Sequence, residues 1–135
     1  MNNEVKIFAD GGARGNPGPA GVGVVIYDDK GKIILEEKKF IGHATNNQAE
    51  YNGLIFALEL AKKLKAKKVK IMLDSELVVN QLLGKYRVKN ESLKPLFQKV
   101  LSLTNNFEKI SFFHTKRDGN KLADKLVNCA IDEKR

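Results

Sequence analysis

Two aspartates stand at the ends of apolar runs that read as strands: Asp10 closes EVKIFAD (residues 4 to 10), and Asp74 follows residues 69 to 73. In sheets crossed over by helices, ligands gather outside the carboxyl ends of parallel strands. If these two strands are neighbours, their backbones lie about 4.8 Å apart and the carboxylates face each other across that gap. Like charges that close raise each other's pKa and oppose folding unless a cation lies between them, so the pair calls for a metal. Glu50 precedes Leu54 and Ala57 by four and seven residues, which puts it on the stripe a helix turns toward the core. A first-turn glutamate also interacts well with the helix dipole while doing nothing else, and the residues alone leave both readings open. Asp124 shares a helical face with Asn120 and Asn128, a pattern that by itself reads as solvated surface. His114 ends a strand, where an imidazole is as a rule structural, and it gains interest only in the company of the acids.

Every donor in this set is a carboxylate oxygen, which suits octahedral Mg²⁺, with Mn²⁺ as a substitute, far better than zinc or copper. Four carboxylates balance two divalent cations, so the filled site is close to neutral and can accept a phosphodiester. The chain carries 24 Lys+Arg against 16 Asp+Glu, a net charge of +8, and 20 of the 24 are lysine. Setting the four acids aside leaves 24 basic against 12 acidic residues, or +12. An acidic pit in a basic surface points to phosphoryl chemistry on a polyanion. Lysine meets phosphate as a flexible point charge, so the composition favours contact with a backbone over readout of bases. A lysine-rich solvated surface of a heat-adapted protein is the alternative.

The elements that must position these groups follow from periodicity. Residues 4 to 10, 21 to 28 and 32 to 40 alternate as strands, and Asp28-Asp29-Lys30-Gly31 is a hairpin signal that makes the second and third antiparallel neighbours. From Asn47 the period turns helical, with Leu54, Ala57, Leu58, Ala61 and Leu64 in one stripe, Asn46 or Asn47 as N-cap, and a lysine cluster over residues 62 to 68 at the end. A strand over 69 to 73 and a helix over 76 to 83 come next. A further helix presents Leu93, Leu96, Phe97 and Val100, with Ser92 as its cap and Pro95 in its first turn. Residues 109 to 114 read as the last strand, and a helix from Gly119 closes the chain. The order βββαβααβα implies an α/β fold with one five-stranded mixed sheet and helices on both faces.

At 135 residues and 42% hydrophobic content, residues 1 to 135 fit one compact domain. No charged segment followed by an apolar stretch opens the chain, and no run approaches the roughly 18 apolar residues of a membrane span, so a soluble, cytoplasmic protein with no membrane partner is expected. The single cysteine, Cys129, excludes an intramolecular disulfide and a thiolate cluster and reads as helix packing. The glycine-rich residues 11 to 21 lack the GK[ST] ending of a nucleotide phosphate loop and lead into a strand. They read instead as a tight connection that leaves backbone amides and Asn16 free to meet a nucleic-acid backbone.

Taken together, FADGGARGNPGPAG, ATNNQAEYNGL, IMLDSELVVNQL and HTKRDGNKLADKL resemble the four sequence blocks of type 1 ribonuclease H, in the same order and with similar separations. The resemblance covers nearly the whole chain and implies the ribonuclease H-like fold. It implies that Asp10, Glu50, Asp74 and Asp124 are metal ligands, which lifts Asp124 out of the surface reading. His114, ten positions before Asp124, matches the family's histidine that assists proton transfer or product release. Asn16, Asn46 and Asn47 match positions that touch the minor groove of the hybrid, and Thr45 matches one near a bound phosphate.

The implied activity is endonucleolytic hydrolysis of the RNA strand of RNA/DNA hybrids with two divalent ions, by in-line attack of water, leaving 5′-phosphate and 3′-hydroxyl ends. Choice of the RNA strand must depend on 2′-hydroxyl contacts in the wide, shallow minor groove. One departure stands out: only residues 84 to 90 (GKYRVKN) separate the second helix from the third, where many bacterial members carry an extra helix and a basic handle that grips substrate. The chain resembles the handle-less members, so its grip must come from elsewhere, with Lys62, Lys63, Lys65, Lys67 and Lys68 as candidates. Some handle-less relatives also cut double-stranded RNA, and that substrate stays open. A related nuclease acting on DNA and a catalytically silent hybrid-binding module are the alternative functions; a monomer is expected.

Overall fold

A computed structural model describes residues 3–135. Five strands form one sheet in the order β3-β2-β1-β4-β5, comprising β1 (Glu4–Ala13), β2 (Gly18–Tyr27), β3 (Ile33–Ala44), β4 (Lys68–Leu73) and β5 (Lys109–His114). The first three strands are antiparallel, whereas β4 runs parallel to β1 and β5 parallel to β4. Four helices join them: α1 (Asn46–Lys63), α2 (Glu76–Leu82), α3 (Lys94–Thr104) and α4 (Lys121–Glu133). Among the described residues, no helix is long and apolar enough to cross a membrane.

Alternation along β1 explains the two layers. Val5, Ile7 and Ala9 point to one face and pack with Tyr51, Leu54, Leu58 and Ala61 of α1 and with Ile71 and Leu73 of β4, all buried. Position 11 continues that face, and a Cβ there would collide with the Ala49 carbonyl, so glycine lets α1 press directly on the strand. The other face is covered by α4, where Gly21 comes within 3.0 Å of the Val127 carbonyl, measured from an added Cβ, and Gly23 meets the Ala123 carbonyl. The β2–β3 hairpin forms as expected: Asp28 Oδ1 accepts from the amides of Lys30 and Lys32, both at 2.9 Å, and Gly31 takes φ +84°.

Three local expectations are corrected. The strands β1 and β2 continue through most of the glycine-rich stretch, leaving only residues 14–17 as the tight turn, because Gly11 and Gly21 serve close helix approach while Gly15, at φ +94°, and Gly18 serve the turn itself. The N-cap of α1 is Thr45 and not Asn46 or Asn47: its hydroxyl accepts from the Gln48 amide at 3.1 Å while Gln48 Oε1 accepts from the Thr45 amide at 2.9 Å, a reciprocal capping box. Ser92 does not cap α3, which begins after Leu93 with no side-chain cap; the Ser92 hydroxyl and amide are both taken by Asn90 Oδ1. Cys129 lies partly buried on α4.

Candidate active site

Parallel pairing carries β1 and β4 side by side up to Phe8 and Met72, and two residues beyond each partner stand Asp10 and Asp74. Asp74 directly follows β4, whereas Asp10, expected to end its strand, lies inside β1 and is still paired with Gly23 of β2; both stand just past the same end of the β1–β4 pairing. Helix α1 starts at this end and runs back antiparallel to β1, with Ala49 against Gly11 and Gly53 against the Asp10 carbonyl. That direction brings Glu50, in its first turns, over the gap between the two aspartates. The fourth acid arrives from the opposite layer. Asp124 stands in the first turn of α4, directly after a 3-10 turn over Arg117–Asn120.

Periodicity alone does not reveal why α4 begins where it does. Asn120, on the face that reads as solvated surface, is in fact 1% exposed, and its Nδ2 donates to the Ala9 carbonyl at 3.1 Å. This bond ties the start of α4 to the residue before Asp10 and so carries Asp124 inward. At the other end, Arg14 donates to Asp132 Oδ1 at 2.5 Å and reaches Asn128. Together they fix α4 along β1 and β2.

Asp10, Glu50, Asp74 and Asp124 line a single cavity of about 350 Å³, together with Gly11, Gly12, Asn46 and Arg117. As the side chains stand, no three acidic, histidine or cysteine groups among the described residues close tightly enough to hold an ion. Their electrostatics nevertheless fit a cation. Burial, then repulsion from Asp74 and Asp124, pushes the Asp10 carboxyl up to about 8. Burial also raises Glu50, with Asp74 adding to the effect and the Ser75 hydroxyl and Arg117 opposing it. Glu50 Oε2 is buried with no hydrogen-bond partner, an orphaned acceptor at the wall of an acidic cavity. Buried carboxylates that repel one another and leave an acceptor unsatisfied are the donor set a hard divalent ion completes.

A family model described as reverse transcriptase-like matches residues 8–130. The ribonuclease H1 of Halobacterium salinarum is 40% identical and superposes with a TM-score of 0.94, covering 96% of this chain and 98% of that one. The chain belongs to the ribonuclease H family. LC11-RNase H1, solved in complex with RNA/DNA hybrid, is 46% identical with a TM-score of 0.89, covering 96% of this chain and 97% of that one. The bifunctional protein Rv2228c of Mycobacterium tuberculosis is 45% identical over 130 residues, 96% of this chain but 36% of its own length. The chain therefore spans about a third of that curated relative.

Within this ribonuclease H fold the polar residues at the start of α1 form a network. Asn46 lines the cavity; its Oδ1 accepts from the Ala13 amide at 2.9 Å, and its own amide donates to Asn16 Oδ1 at 3.1 Å. Asn16, on an exposed turn, thus braces α1 through its side-chain oxygen. Thr45 and Asn47 flank Asn46 on the same edge. His114 ends β5 beside Leu73, one residue before Asp74, but it is exposed and outside the cavity lining. The cation in the lining is instead Arg117, which is absent from the candidates that the sequence supplies. An arginine in an exposed turn of a basic chain carries no periodic signal; only its place within HTKRDGNKLADKL, seven residues before Asp124, could have marked it. The lysines of residues 62 to 68 lie at the far end of α1, about 20 Å from Glu50 at 1.5 Å per residue, away from the cavity.

Proposed function

We propose that this chain is an endoribonuclease that hydrolyses the RNA strand of RNA/DNA hybrids, with Asp10, Glu50, Asp74 and Asp124 holding two divalent cations, Mg²⁺ or Mn²⁺. The observation that carries the reading is the convergence of four carboxylates, from β1, α1, the end of β4 and α4, on one cavity where burial and neighbouring carboxylates raise Asp10 and Glu50. The hybrid bound to LC11-RNase H1 supports the substrate class.

Bound there, two such ions would supply Lewis-acid polarisation of the scissile phosphate and a lowered pKa for the attacking water. The protein's own groups do the rest. Asp10 and Asp74 hold fixed positions because Asp10 stands within β1 and Asp74 directly follows β4, and Glu50 and Asp124 approach from opposite layers, so the donors surround the cavity. Arg117 supplies positive charge at its rim and meets a phosphate oxygen of the entering strand. His114, at the exposed end of β5, is placed to exchange protons with solvent during departure of the product. Asn16, Asn46 and Asn47, braced with the Thr45 cap, present amide groups to the minor groove, where the 2′-hydroxyl distinguishes RNA from DNA.

The deciding assay uses one sequence as hybrid labelled on either strand, as duplex RNA and as duplex DNA, with Mg²⁺ or with chelator. Metal-dependent cutting of the RNA strand of the hybrid, with 5′-phosphate ends, is the expected result. Cutting of DNA, or binding without cutting, would replace the reading with one of its alternatives. The duplex RNA lane settles the breadth of substrate.

A further inference from the structure

The segment joining α2 to α3 takes no part in the carboxylate cavity, yet it builds a second opening of about 590 Å³. Lys85, Tyr86, Arg87 and Lys94 line it, with Gln81 and Phe97 also in its walls, and no acidic residue is in the lining. Lys94 is paired with Glu91 at 2.7 Å, whereas Lys85 and Arg87 have no acidic partner among the described residues. Two cations held apart from any counter-charge around a concave surface favour an anion there.

The cleft is built, not frayed. Gly84 takes φ +79° at the end of α2, a conformation that suits glycine, and the chain folds back so that the amides of Lys85 and Tyr86 both donate to the Asn80 carbonyl, at 2.9 and 3.2 Å. Gln81 is 6% exposed and its Oε1 accepts from the Tyr51 hydroxyl at 2.5 Å. Its Nε2 has no partner among the described residues, which leaves an amide donor in the cleft wall. Tyr51 follows Glu50, so one turn of α1 carries both a wall of the carboxylate cavity and the anchor of this cleft. Tyr86, half exposed, offers an aromatic face of the kind that stacks on sugars and bases.

Helix α2 sets the separation of the two openings. Helix α2 begins two residues after Asp74 and has seven residues, a length of about 10 Å. A duplex advances about 3.4 Å per base pair, so a strand whose scissile phosphate lies at the carboxylates reaches the cleft within a few nucleotides.

We propose that this cleft holds the phosphodiester backbone of the same substrate a few nucleotides from the cut, Lys85 and Arg87 neutralising phosphates and Tyr86 packing on the nucleotide between them. The inference rests on the nuclease reading above, and it assigns the grip of a handle-less chain to its shortened loop instead of to the lysines at the far end of α1.

The test measures hybrid binding by fluorescence anisotropy against salt concentration, in an Asp10→Asn background so that nothing is cut. Against that parent, Lys85→Ala/Arg87→Ala is compared with Lys62→Ala/Lys63→Ala, an equal loss of charge elsewhere. The slope of log Kd against log salt falls by about two for the cleft pair, one for each phosphate that is no longer neutralised, and by less than half a unit for the distal pair. Tyr86→Ala weakens binding about 5- to 100-fold, the range for removing the stacking partner of one base. In the cutting enzyme the cleft pair raises KM while kcat stays within about twofold. A cleft pair that behaves like the distal pair, a fall in kcat at unchanged KM, or no binding of hybrid at all overturns the proposal. If the parent enzyme fails to cut hybrid, the nuclease reading falls, and the salt slopes still decide whether the cleft binds a backbone.

Discussion

Gly53 lies against the backbone carbonyl of Asp10: a Cβ added at position 53 would come 2.5 Å from that oxygen. This approach sets how near α1 comes to β1, and therefore how near Glu50 comes to Asp10. Glycine within a helix normally weakens it by about 0.5 to 1 kcal/mol relative to alanine, so its presence here reflects the close approach.

Gly53→Ala accordingly destabilises the chain by about 1 to 3 kcal/mol in urea unfolding, the cost of overpacking, and lowers cleavage of hybrid more than the unfolded fraction accounts for. Neutral or increased stability, as helix propensity alone would give, would show that the α1–β1 spacing is not set at this position.

The Asp10 carboxyl gives the metal-free protein an unusual pH dependence. Its folded-state pKa, about 8, lies above the unfolded value near 4. Between these values the folded chain holds a proton that the unfolded chain has released, so the stabilising contribution is full below about pH 4 and disappears as pH rises through 8. In chelator, thermal stability should therefore fall from pH 5 to pH 8, by up to about 1.4 kcal/mol per unit from this group. Asp10→Asn should flatten the profile, and Mg²⁺ binding near pH 7 should release a proton, measured by calorimetry in buffers of different ionisation enthalpy. A flat profile for the parent protein would mean that Asp10 is not perturbed.

Among the described residues Arg117 is the only cation in the lining of the carboxylate cavity, and it opposes the upward shift of Glu50. Arg117→Ala is expected to lower kcat/KM on hybrid about 10- to 100-fold, the range for losing a hydrogen bond to a charged group, with Arg117→Lys recovering part of it. The same change should tighten Mg²⁺ binding by removing a competing positive charge. An unchanged kcat/KM would make Arg117 a bystander.

The capping box at the start of α1 positions the helix that carries Glu50. Thr45→Ala removes the acceptor for the Gln48 amide and should cost about 0.5 to 2 kcal/mol of stability, which Thr45→Ser restores. Equal stability of all three proteins in chemical denaturation would contradict that role.

Legibility in the sequence tracked the range of the interactions involved. Asp10 and Asp74 could be placed together because strand alternation is local and parallel pairing of β1 with β4 brings them side by side, although β1 continues past Asp10 to Ala13 where the sequence suggests a strand end. The core-facing side of Glu50 followed from the stripe of α1, which left its part in the cavity open. Asp124 could not be placed by periodicity, since its position depends on Asn120 reaching the Ala9 carbonyl, a hydrogen bond between residues 111 apart in sequence. The glycines of residues 11 to 21 were legible only in part for a related reason: Gly15 and Gly18 build the tight turn, but Gly11 and Gly21, which look like turn residues, make room for α1 and α4. The lysines of residues 62 to 68 give no sequence signal of their distance from the carboxylates, which the direction of α1 relative to β1 sets.

The central claim is that four carboxylates act together on the RNA strand of a hybrid. Its most direct test is single-turnover cleavage of labelled hybrid in Mg²⁺ by the parent protein and by Asp10→Asn, with hybrid affinity measured for both. Cleavage is predicted to fall by about 100- to 1,000-fold or more in the variant while the hybrid stays bound, because an amide of nearly the same shape is a poor metal ligand. Full cleavage by Asp10→Asn would contradict it.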